Sequence, residues 1–88
     1  MLTQQEVSRV GDVLRRAVLN NCRTCAFSFD RLATDTDNEP GSKVSVRWDT
    51  ALTKQIEIIE FDKHGCVMDR QQFFTMDEVI LHYAKTED

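Results

Sequence analysis

The chain has a single proline and three glycines among 88 residues. With so few breakers, only "ATDTDNEPGS" at residues 33–42 is turn-rich, and no glycine-rich loop exists that could cradle a phosphate. Apolar runs are equally short: none approaches the roughly 18 residues that a membrane-spanning helix requires. Cysteine occurs three times, an odd number that does not fit the even disulfide framework of a small secreted domain. The N-terminal "MLTQQEVSRV" carries neither a basic start nor a hydrophobic block, so no signal peptide is expected and the reducing cytoplasm is the expected location.

What is present is 41% hydrophobic and 30% charged, a balance that predicts one small globular domain over residues 1–88. The net charge is −4. Its distribution is uneven: residues 1–34 hold five arginines against three carboxylates, whereas residues 35–88 hold six lysines and arginines against twelve carboxylates. The basic excess is thus confined to the first third and the acidic excess to the rest, an asymmetry that bears on the kind of partner.

Val7, Val10, Leu14, Ala17 and Val18 recur with the spacing of one helix face, which predicts an amphipathic helix over 4–21, opened by Thr3 with Glu6 three residues on as a capping box. Arg9, Arg16 and Arg23 fall seven apart on its opposite side, either a solvated stripe or a ridge that faces an anion or an acidic partner. From Cys25 the period becomes two: Phe27 and Phe29 point one way, Ala26, Ser28 and Asp30 the other. "KVSVRW" is the clearest strand, with Val44, Val46 and Trp48 on one face. "KQIEIIEF" at 54–61 is apolar on both faces or bulged, which favours a central place in the sheet. "DKHG" then makes a tight turn in which Gly65 suits positive φ, and the polar "CVMDRQQF" returns as an edge strand. Thr75 with Glu78 forms a second capping box before "MDEVILHYAK", a helix whose buried face is expected at Met76, Val79, Ile80 and Tyr83, with Phe74 stapled onto Val79.

These elements predict an α+β fold: a small antiparallel sheet of three to four strands with an N-terminal and a C-terminal helix, in the order α-β-β-β-β-α. The order, and in particular "QQFFTMDEVILHYA" after a hairpin, resembles that of SH2 domains. In that family an arginine that binds phosphotyrosine follows an apolar pair in mid-strand. If Phe27 and Phe29 are the pair, this chain has Asp30 there, so the resemblance implies the element order and not phosphotyrosine binding. The order is also similar to that of double-stranded-RNA-binding domains, but the last helix lacks the basic cluster their phosphate contacts need.

Chemistry-bearing residues are few. Cys22 and Cys25 with His64 and Cys66 would make four zinc ligands as C-x2-C with H-x-C, but neither pair is followed by a knuckle. Two small buried apolar residues is the preferred reading of Cys22 and Cys25, and no metal or cofactor is expected. "DTDNE" has carboxylates at alternate positions, yet Pro40 and Val46 stand where a calcium loop requires Gly and a bidentate Glu. His64 and His82 have no companion nucleophile motif, so no catalytic residues are assigned and the protein is not expected to be an enzyme.

The expected function is therefore that of a non-catalytic, acidic accessory or inhibitor protein that docks a basic surface of a larger protein partner. Anti-CRISPR, anti-restriction and immunity proteins provide the analogy in size and charge. The expected contact residues are Asp35, Asp37 and Glu39 with Trp48 and Asp49, the carboxylates steering and Trp48 anchoring. Arg9, Arg16 and Arg23 form the alternative binding face, which an SH2-like or nucleic-acid-binding module would use. A metal- or ligand-binding module built on Cys22, Cys25, His64 and Cys66 is the other alternative. Duplex nucleic acid and membrane are not expected partners.

Overall fold

The computed structural model describes residues 2–31 and 41–84. Helix α1 (Gln4–Leu19) is followed by strands β1 (Thr24–Asp30), β2 (Lys43–Asp49), β3 (Ile56–Phe61) and β4 (Val67–Phe73), then helix α2 (Met76–Ala84). The strands form one antiparallel meander in sequence order, so the fold is the α-β-β-β-β-α sandwich that the patterning predicts.

Register sorts the side chains onto two faces. Cys25, Phe27 and Phe29 stand opposite Trp48, Val46 and Val44, and Ile56, Ile58 and Glu60 align with the same β2 residues from the other side. All but Glu60 join the apolar core or pack against it, together with Val7, Val10, Leu14 and Ala17 of α1 and Val79 and Tyr83 of α2. Both helices therefore cover one face of the sheet. The uncovered face carries Ser28, Ser45, Arg47, Glu57 and Arg70, with Ile59 and Phe61 half-buried among them. β3 lies inside the sheet as expected, and Ile58 and Ile59 are in regular register on its two faces, so the strand is apolar on both faces and not bulged there; the slip in its ladder to β4 comes later, between Glu60 and Phe61, with the extra residue on β4.

Helix α1 begins as predicted: Glu6 donates its backbone N–H to Thr3 Oγ1 at 3.2 Å, and Thr3 donates its own to Glu6 Oε1 at 2.9 Å. It stops at Leu19 rather than residue 21. Cys22 N–H reaches back to Ala17 O and Asn21 N–H to Val18 O while Asn21 adopts φ 59°, the paired bonds of a Schellman ending with asparagine in glycine's usual place. This ending turns Cys22 into solvent, so Cys22 is not the buried residue expected, and Cys25 is only half-buried.

At α2 only half of the expected box forms: Glu78 donates its N–H to Thr75 Oγ1 at 3.3 Å, but its carboxylate accepts from the Phe74 N–H, at 3.3 Å, instead of from Thr75. On α2 the expected buried face is only partly right: Val79 and Tyr83 are enclosed and Met76 is half-buried, but Ile80 is 44% exposed. Val18 departs in the same way at 57%. Both exceptions border the same cleft.

Candidate functional site: an apolar cleft between the helices

The cleft has a volume of about 710 Å3 and opens between α1 and the start of α2. Trp48 and Ile56 come up into it from the sheet, and Val18, Phe74, Met76 and Ile80 line it from the helices. Trp48 is only 8% exposed, whereas Phe74 is 46% exposed. Asp12 and Arg15 stand on the α1 side, loosely paired at 3.9 Å, and Gln55, Thr75 and Asp77 on the other. Gly11 faces Met76 across the cleft, where a Cβ would come into contact with Met76 Cε at 3.4 Å. Lys54 Nζ sits 5.6 Å from the Phe74 ring centroid, holding a cation beside an otherwise exposed aromatic. An apolar hollow with a sparse polar rim can seat a hydrophobic anchor.

Two of the expected contact residues are described, Trp48 and Asp49. Asp35, Asp37 and Glu39 lie outside the described residues. Trp48 and Asp49 end β2. Trp48 belongs to the core and floors the cleft, while Asp49 accepts an N–H from Ala51 at 2.9 Å in the turn that follows. Arg9 stacks over the Phe29 ring with its guanidinium carbon 4.9 Å from the centroid, so one arginine of the stripe covers part of the core edge.

The proposed zinc quartet is not assembled. Cys25 pairs with Trp48 at one end of the sheet, and His64 and Cys66 follow Phe61 at the other. The physical reason is the meander itself, which alternates strand direction and puts the β3–β4 turn at the far end from the start of β1. Among the described residues no group of three or more His, Cys, Asp or Glu could hold a metal ion. Instead His64 and Cys66 shape the turn, both donating their N–H to Asp62 Oδ1, at 2.8 and 2.9 Å. The bond from Cys66 comes first among the influences that hold the Asp62 carboxyl below its usual range.

Two charge clusters escape a reading of periodicity alone. Beneath the N-terminal end of α1, Arg31 donates to both oxygens of Glu6 at 2.9 Å and to Glu60 Oε1 at 2.8 Å, with the Arg31 and Glu60 side chains each 4% exposed. Burial opposes ionisation of Glu6, yet the bonds from Arg31 and the Thr3 backbone outweigh it and leave the carboxyl below its usual range. On the open face Glu57 accepts from Gln72 at 3.0 Å and from Arg70 at 2.7 Å, and these bonds lower its pKa. The signal for the first cluster was Glu60, an acid at an inward position of β3 that demands a cation.

Among the described residues no helix is long and apolar enough to cross a membrane. No protein-family model, curated protein or solved structure matches the chain, so the surface just described has to speak for its function.

Proposed function

We propose that the protein is a non-catalytic accessory or inhibitor domain that docks a larger protein partner by seating an apolar, helical segment with basic flanks in the cleft between α1 and α2. The observation that carries this reading is the exposure of Val18, Phe74 and Ile80 around one hollow floored by Trp48. Exposed apolar groups scattered singly mean little, but a contiguous set that surrounds an aromatic floor is how interfaces are built. The basic character of the partner is read from the net charge of −4; at the cleft itself Asp12 and Asp77 stand with Arg15 and Lys54, so the rim charges balance locally. Asp35, Asp37 and Glu39 would add to the steering field in the same sense.

A designed amphipathic helix of leucine and lysine probes the cleft. Titrated into 15N-labelled protein, it is expected to shift the signals of Val18, Ile80 and the Trp48 indole. Ile80→Arg should weaken the complex by about tenfold, the loss of one interface anchor, while leaving the unfolding free energy within about 0.5 kcal/mol because the side chain is half-exposed. Equal binding of a leucine and glutamate helix, or shifts mapped away from the cleft, would show the proposal to be wrong.

A further inference from the structure

Strand β1 ends the sheet, and among the described residues it pairs only with β2. The bonds at its two ends fix which way its backbone points. Arg31 donates its N–H to Ser42 O at 2.8 Å, and Thr50 donates to Arg23 O at 3.1 Å, so the odd-numbered positions are the ones bonded to β2. Bonded and non-bonded pairs alternate along an antiparallel ladder. Thr24, Ala26, Ser28 and Asp30 therefore turn their N–H and C=O groups outward, away from the sheet.

Edge strands are ordinarily blunted by lysine, proline, a bulge or an inward charge. β4, the other edge, has such devices: its register slips near Val67, and Asp69, Arg70, Gln71 and Gln72 follow. "TCAFSFD" has none before its last residue, Asp30, whose exposed carboxylate lies 3.9 Å from Lys43, and its seven-pair register to β2 is unbroken. On the helix side of this edge the Phe27 ring stacks on Phe29 with centroids 6.3 Å apart and is only half-buried, while Ala26 and Ser28 leave the other side low and open.

A row of cations runs beside the same edge. Contact between Arg9 and Phe29 places that flank of α1 over β1. Arg16 lies about two helical turns further on and so shares the flank, and because α1 runs back toward the start of β1 it stands toward the Cys25 end. Arg23 directly precedes the strand. Both Arg16 and Arg23 are exposed.

We infer that the outer edge of β1 accepts an extended, acidic segment of a partner protein as an added strand. The outward backbone groups of Thr24, Ala26, Ser28 and Asp30 supply the ladder, half-exposed Phe27 meets an apolar side chain on the helix side, and Arg9, Arg16 and Arg23 select for carboxylates. A second copy of the chain is the wrong occupant, because pairing β1 with β1 would set two arginine rows side by side. This surface is distinct from the cleft, which α1 lines through Gln4, Val7, Gly11 and Val18.

The test uses the full chain, 15N-labelled, with a peptide of alternating valine and glutamate as probe. The expected result is that the Ala26 and Ser28 amides shift and become protected from exchange, and that binding weakens about tenfold when salt is raised to ~0.5 M. The double variant Arg16→Gln, Arg23→Gln should weaken binding by about tenfold with the thermal midpoint unchanged, since exposed arginines add little to stability. Ser28→Pro removes an outward donor without touching the ladder to β2 and should abolish binding. If Ser28→Pro unfolds, N-methylation of alternate residues of the probe, one face of its strand at a time, makes the same test on the unmodified protein. A valine and lysine peptide that binds as well, amide changes on β4 instead, dimerisation through β1, or a single-stranded oligothymidylate that binds in place of the peptide would each overturn the inference.

Discussion

Arg31 shows how far one residue can depart from its ordinary place. It immediately follows β1 at an edge of the sheet, where an arginine is usually solvated, yet its side chain is 4% exposed and bonds two carboxylates. Each of those carboxylates also serves elsewhere, since Glu6 closes the capping box of α1 and Glu60 takes an inward position of β3 among isoleucines. The guanidinium thus ties the start of α1 to both sides of β2. Removing it leaves two carboxylates in a low-dielectric site, and Arg31→Met is expected to destabilise the protein by about 3 to 5 kcal/mol. Chemical denaturation measures this directly, and a loss within about 1 kcal/mol would mean that Glu6 and Glu60 find water instead.

At the level of elements, the ends of the helices explain more than their middles. α1 ends on Asn21 at φ 59°, a left-handed backbone that strains an ordinary side chain and that asparagine tolerates better than most. The ending sends the chain from the helix into β1 and so determines where Arg23 enters the edge. Asn21→Gly should therefore stabilise the protein by about 0.5 kcal/mol and Asn21→Val should destabilise it by about 1 to 2 kcal/mol, both read from denaturation midpoints. An unchanged midpoint for the valine variant would mean that the Schellman turn gives way. The end of α2 nearest the sheet acts differently. Thr75 and Glu78 start the helix one residue after Phe74, which leaves that ring beside Lys54 at the mouth of the cleft instead of inside the core.

For the molecule as a whole, the parts legible in sequence were those with a period. Val7, Val10, Leu14 and Ala17 announced a helix face, Val44, Val46 and Trp48 a strand face, and the element order α-β-β-β-β-α followed, whereas the order of the strands within the sheet did not. The cleft could not be read this way, because Val18, Trp48, Phe74 and Ile80 are far apart in the chain. Their exposure depends on how closely two helices meet over the sheet, and Val18 and Ile80 each obey the apolar spacing of a helix while facing the gap. The zinc alternative failed for a related reason, since spacing in sequence says nothing about which end of the sheet a turn occupies. The arginine stripe was visible as a pattern, but only the stacking of Arg9 on Phe29 places one of its members beside β1, which among the described residues pairs on one side only.

The charged groups also set the pH range over which the fold holds. Glu6 and Glu57 both have carboxyls below their usual range. For Glu6, burial is outweighed by the bonds from Arg31 and Thr3; for Glu57, the bonds from Gln72 and Arg70 lead. A carboxyl lowered on folding contributes stability that is complete above its ordinary value of 4.5 and is lost as pH falls through the folded value. Tyr83 acts at the other limit: burial, and then the nearby Glu60 charge, raise its phenol above the usual 10. Its contribution is complete below that value and is lost as pH climbs above it, because only the unfolded chain readily gives up the proton. Stability should therefore show a plateau at neutral pH with an acid limb and an alkaline limb that have separate owners. In urea titrations between about pH 3 and pH 12, Glu6→Gln should make the acid limb shallower and leave the alkaline limb unchanged. Tyr83→Phe should move the alkaline limb to higher pH and leave the acid limb in place. If both variants shift both limbs equally, a change in total stability accounts for the profile and the two groups do not own its ends.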